Sequence, residues 1–104
     1  MRTWAADDGG MSFLVIEDDD ELRGAIVAFL ARRAHRVTAC GSIAEANLAL
    51  GELAANADAP DAVVSHIHLQ DGDGVSFYIK ASSRFPEMRW IVTSAGGEQL
   101  RVVG

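Results

Sequence analysis

Phe13-Leu14-Val15-Ile16-Glu17-Asp18-Asp19-Asp20-Glu21-Leu22-Arg23 passes from a continuous apolar run, through a block of acids, into the first turn of a helix. The run Phe13 to Ile16 shows no polar alternation, which suits a central parallel strand covered on both faces. Beyond the acids, Leu22, Ile26, Phe29 and Leu30 recur at helical spacing. Asp19 or Asp20 is available as the N-cap, and Arg32 and Arg33 lie near the C-terminal end, where cations offset the helix dipole. A strand that runs through a short acidic loop into a capped helix is the opening of a βαβ unit.

The same alternation continues outward. Arg36 to Cys40 reads as a second strand closed by Gly41, with His35 in the connection before it as a solvent-exposed loop residue. Ser42-Ile43-Ala44-Glu45 has the pattern of a capping box, and Ala46, Leu50 and Leu53 follow on one helical face. Asn56 to Pro60 is the loop after it. Asp61 leads into a third strand, Ala62 to Ile67, and Gln70-Asp71-Gly72-Asp73-Gly74 supplies two glycines for tight backbone geometry. A third helix is expected from Val75 to Ser83, with Phe77, Tyr78 and Ala81 inward and Pro86 ending it. Trp90 to Ser94 reads as the fourth strand, with Trp90 and Phe77 in the core, and Ala95 to Gly104 as no more than a turn or two. Strands alternating with helices through short loops imply right-handed crossovers and a parallel α/β sheet.

At 104 residues the chain is expected to hold one domain, residues 11–104, preceded by a flexible polar extension over residues 1–10. Hydrophobic residues make up 49% and charged residues 23%, the balance of a soluble globular protein. The formal charge of −6 disfavours nucleic-acid binding. No apolar stretch approaches the roughly 20 residues that cross a bilayer, and the N-terminus lacks the basic and apolar regions of a secretory signal. The single cysteine, Cys40, reads as a small buried hydrophobe and fits a reducing cytoplasm.

Three segments together resemble the receiver domain of two-component response regulators over about residues 12 to 95. Phe13 to Arg23 looks like the family's first strand, acidic pair and first helix start. Asp61 through Gly74, with Ile67, Leu69 and the closing Asp73-Gly74, is similar to the third strand and its loop. Ile91-Val92-Thr93-Ser94-Ala95 resembles the fourth strand ending in a hydroxyl and a small residue. The resemblance implies a flavodoxin-like, doubly wound parallel sheet of order 2-1-3-4, with the family's fifth strand and fifth helix missing.

In that family the acidic pair and an acceptor aspartate hold magnesium, a hydroxyl binds the phosphoryl group, and a lysine after the fifth strand contacts it. By resemblance, Glu17 and Asp18 match the acidic pair and Ser94 the switch hydroxyl. His66 falls on the acceptor, Gln70 replaces the usual proline, and the chain stops before the lysine. An imidazole cannot serve as the carboxylate that is phosphorylated or that binds a hard cation, so the implied magnesium site is weakened and no other cofactor is expected. An imidazole turned into the acidic pair would supply positive charge in place of the metal. Its pKa is then expected above the reference of about 6.5, with alkaline pH weakening the fold.

The expected function is a non-enzymatic, phosphorylation-independent module that binds a histidine kinase, phosphotransfer protein or response regulator. Two rivals remain: a metal-binding or small enzyme-like domain using Glu17, Asp18, His66 and His68, the last two forming an H-x-H pair, and a phosphoacceptor that uses Asp71 or Asp73. Without a fifth strand, the fourth is expected to be an open edge, with apolar surface uncovered beside the first helix. A homodimer or obligate partner is expected to cover that edge, contacting Trp90, Val92, Leu100, Val102 and Val103.

Overall fold

The computed structural model describes residues 10–93 and 100–103. Strand β1 (Ser12–Ile16) leads to α1 (Asp20–Ala31), β2 (Arg36–Cys40), α2 (Ile43–Ala55) and β3 (Ala62–His66). A small hairpin follows, β4 (His68–Leu69) and β5 (Gly72–Asp73), then α3 (Gly74–Arg84), β6 (Arg89–Thr93) and β7 (Leu100–Val103). The main sheet runs β2-β1-β3-β6-β7. Its first four strands are parallel, in the order expected, β6 being the fourth strand of the sequence reading.

Alternate residues of the strands divide the core in two. Leu14, Ile16, Val63 and Trp90 pack with Ala46, Leu50, Phe77 and Ala81 beneath α2 and α3. Phe13, Val15, Ala62 and Val64 pack with Leu30 beneath α1. Burial on both faces is why Phe13 to Ile16 carries no polar alternation. Trp90 is fully buried, with Phe77 and Tyr78 edge-on at 5.7 and 5.1 Å.

The helix ends follow their caps. Asp19 accepts from the Leu22 N–H at 3.0 Å, and Arg33 returns its guanidinium to the Phe29 carbonyl at 3.1 Å. Ser42 accepts from the Glu45 N–H as the capping box requires, while the Glu45 carboxylate reaches one residue further back, to the Gly41 N–H at 2.6 Å. The third helix extends one residue beyond the expectation at each end; Asp73 caps its start by accepting from the Val75 N–H, and the Phe85 N–H donates to the Ala81 carbonyl at its end. A side chain at Gly74 would overlap the His66 carbonyl oxygen, so only glycine lets α3 start against the end of β3.

Four expectations are corrected. The tail is not limited to a turn: Leu100–Val103 forms a strand antiparallel to β6, with Trp90 opposite Val103 and Thr93 opposite Leu100. The fourth strand is therefore no open edge, and a dimer cannot form through it; pairing in cis satisfies the N–H and C=O groups that an edge would expose. Trp90 and Val92 are also buried within the chain, which removes them from an interface. The side chains of Leu100, Val102 and Val103 lie outside the described residues, as does the extension over residues 1–9. Last, His35 sits in the expected connection but is half-buried, accepting from the Met11 N–H at 2.9 Å and meeting the Phe13 ring edge-on at 5.0 Å.

The expected uncovered surface beside α1 is present. Of the helical stripe, Leu30 is buried and Ile26 half-buried, whereas Leu22 and Phe29 remain 43% and 47% exposed. A groove of about 390 Å³ runs beside them over the sheet, lined by Phe13, Ala25, Ile26, Phe29, Val64 and Ile91.

Candidate functional site

Strand parity brings the site together. Phe13 and Val15 face α1 and the next residue on that parity is Glu17; Ala62 and Val64 lead to His66, and Ile91 leads to Thr93. Because side chains alternate along a strand, these three converge just beyond the α1 half of the core, at the carboxyl ends of three adjacent strands. In open α/β sheets that is where ligands bind.

His66 Nδ1 lies 3.0 Å from Glu17 Oε1. Against an ionised carboxylate, which can only accept, Nδ1–H is the donor of this contact. Thr93 Oγ1 is 3.4 Å from the same nitrogen, on the residue that pairs with His66 in the β3–β6 register. Glu17 is buried, at 2% exposure. Its second oxygen accepts from the Asp19 N–H at 3.1 Å, and its carbonyl accepts from Arg23 Nη1 at 2.8 Å. Every polar group of this buried acid is therefore held by the protein, its own N–H donating to the Cys40 carbonyl.

Not all expected residues join this cluster. Asp18 is half-buried, and the imidazole meets Glu17 instead. His68 is exposed in β4, opposite Asp73, because the chain leaves the main sheet at Ile67, whose N–H donates to the Thr93 carbonyl at 2.8 Å. The H-x-H pair is thus split between two sheets. Among the described residues no three His, Cys, Asp or Glu side chains form a group that could hold a metal ion, so Glu17, Asp18, His66 and His68 do not make the expected metal set. The donor chemistry also does not fit magnesium: a ring nitrogen stands in place of an oxygen and takes up one oxygen of Glu17. Ser94 lies outside the described residues.

Two contributions escaped the sequence reading. Thr93 is the hydroxyl that reaches His66. Asp71, in the hairpin turn, accepts from the Ile43 and Ala44 N–H groups at 2.9 and 3.0 Å, so the loop after β3 caps α2 across space. These bonds hold the Asp71 carboxyl below its ordinary range. Asp71 and Asp73 both serve helix N-termini. Cys40, at the end of β2, is buried, which pushes its thiol up to about 11, with Glu45 adding to the rise and Arg23 opposing it.

The fold is shared with solved structures. The non-phosphorylated HemR receiver domain from Leptospira biflexa superposes with a TM-score of 0.73 at 23% identity, over 83% of this chain and 65% of that one. The chain has the fold of a response-regulator receiver domain. The receiver-protein N-terminal domain from Methanoculleus marisnigri JR1 gives 0.69 at 23% identity, over 82% of this chain and 67% of that one. The receiver domain of Francisella response regulator 1452 gives 0.69 at 21%, over 83% and 67%. This receiver-fold chain thus spans about two thirds of the length of these structures. No protein-family model matches the sequence, and no curated protein does. Among the described residues no helix is long and apolar enough to cross a membrane.

Proposed function

We propose that the chain is a receiver-like signalling module that is not phosphorylated and acts by binding another protein of a two-component or phosphorelay pathway in the cytoplasm. Its partner is a histidine kinase, a phosphotransfer protein or a response regulator. It works as a binding surface and not as an enzyme, and it needs no metal or other cofactor.

One observation carries this reading: His66 Nδ1 stands 3.0 Å from Glu17 Oε1 at the carboxyl ends of the strands. Phosphoryl transfer to a carboxylate at such a site needs an oxygen nucleophile and cations that neutralise the transferred charge. Here the acceptor position holds an imidazole that already occupies the acid beside it. The pocket is closed by an internal pair, which favours one fixed surface over a switching one.

Incubation of the whole chain with acetyl phosphate and magnesium, followed by intact-mass spectrometry, tests the proposal. The expected spectrum is unchanged. A phosphoryl adduct on an aspartate or glutamate would overturn it.

A further inference from the structure

The chain enters β1 through an unusual contact. The Met11 carbonyl, one residue before the strand, accepts from the Arg36 N–H at 2.9 Å, as a parallel pair requires. The Met11 N–H would ordinarily go to a backbone carbonyl of the neighbouring strand, but it donates instead to His35 Nδ1 at 2.9 Å. A backbone N–H can only donate, so this nitrogen is unprotonated and the ring carries its single proton on Nε2. The direction of the bond fixes the charge state of the imidazole.

The surroundings hold the ring at this place. Ala34, at φ 63°, turns the chain after α1, and the His35 N–H returns to the Leu30 carbonyl at 3.2 Å. Phe13 meets the ring edge-on at 5.0 Å, and Met11 packs against the same half of the core as Phe13 and Leu30. Gly10, at φ 126°, leaves the space that the imidazole needs, since a Cβ there would stand 2.5 Å from Nδ1. A proton on Nδ1 would set one N–H against another, with no acceptor between them, so the contact can exist only in the neutral ring.

The charged groups of the adjoining elements are engaged elsewhere or exposed. Arg33, after α1, gives its guanidinium to the Phe29 carbonyl and lies over the Phe29 ring at 3.6 Å. Arg32 and Arg36 are exposed, and Asp61, ahead of β3, accepts from the Ser12 N–H at 2.8 Å. The contacts that the ring itself makes, with Met11, Phe13 and Gly10, are with uncharged groups.

We infer that His35 is a proton-operated latch at the entry to β1: neutral, it fastens Gly10 and Met11 against the end of α1 and the start of β2, and protonated, it lets them go. Histidine is the side chain that ordinarily changes charge between about pH 5 and 8, so the latch opens on mild acidification. The rungs from Ser12 onward use backbone groups alone and stay closed. The inference does not depend on the binding role proposed above.

NMR spectra of the whole labelled chain between about pH 8 and 5 test it. The Met11 amide is expected to lose its downfield displacement, and the Phe13–His35 ring cross-peak to vanish, in one step together with the titration of the His35 ring. The Leu14 and Val15 amides should not follow. His35→Asn, whose side-chain carbonyl can accept at the place of Nδ1 without titrating, should keep the Met11 amide displaced across the range. Gly10→Ala should open the latch at every pH, and circular dichroism checks that both variants are folded. A Met11 amide that stays put while the His35 ring titrates overturns the inference. So does a ring that remains neutral to pH 5, an unchanged step in His35→Asn, or a step shared by Leu14 and Val15, which would report unfolding of the whole sheet.

Discussion

The imidazole of His66 and the carboxylate of Glu17, 49 residues apart in sequence, meet at 3.0 Å where strands β1 and β3 end. Glu17 has almost no access to water, so the imidazole is its main charge-assisted donor. Removing one partner of a buried pair strands the other, which costs more than the pair gains. His66→Ala should therefore lower stability by about 2–4 kcal/mol. Glu17→Gln, which keeps an acceptor and loses the charge, should cost less. Urea denaturation with an unchanged m-value measures both; a His66→Ala midpoint equal to that of the native chain would contradict the pairing.

The Cys40 thiol gives a pH signature. Burial raises its folded-state pKa from 9.0 to about 11, so the stability tied to the neutral thiol is fully present below pH 9 and is lost as pH rises through about 11. The loss is about 3 kcal/mol across that window. Cys40→Val lacks it, so the difference between native and variant stability between pH 8 and 11 isolates the thiol. Alkylating reagents at pH 8 should modify the native chain only as fast as it opens.

Asp71 works in the opposite direction. Its folded-state pKa is lowered by the Ile43 and Ala44 N–H groups, so its contribution is present above the ordinary carboxylate pKa and is lost as pH falls through the lower folded value. Asp71→Ala should lower the denaturation midpoint at pH 7 and leave a smaller difference from the native chain in acid. Equal midpoints at pH 7 would show that the cross-loop cap is dispensable.

Gly74→Ala puts a methyl group against the His66 carbonyl oxygen and the Ser65 hydroxyl. Backbone cannot yield as a flexible side chain can, so a loss of about 2–3 kcal/mol is expected. Since the start of α3 abuts the residue that pairs with Glu17, the variant should also shift the His66 ring signals in NMR spectra.

Much of this was readable in the chain. The unbroken apolar run Phe13 to Ile16, the Ser42 box and the stop at Pro86 are local signals, and each led to the right element because sheet burial, capping and ring geometry act within a few residues. The non-local features were hidden. Nothing near Asp71 points to α2, 28 residues away. The strand Leu100–Val103 depends on a partner edge that sequence spacing does not reveal. His35 reads as a loop residue until Met11 and Phe13 are folded against it. At the site, His66 and Glu17 were legible through the resemblance, whereas Thr93 required the β3–β6 register, in which a shift of one residue changes the face.

At the acidic end of the sheet an imidazole, not an oxygen ligand, stands against Glu17. Thermal denaturation with and without magnesium, on the native chain and on His66→Asp, tests it most directly. The native midpoint should not move with magnesium. The variant, with a second carboxylate set against Glu17, should melt lower without metal and recover when magnesium is added, by about 2.7 kcal/mol at a hundredfold excess over its dissociation constant. A native chain that gains stability from magnesium as the variant does would contradict the claim.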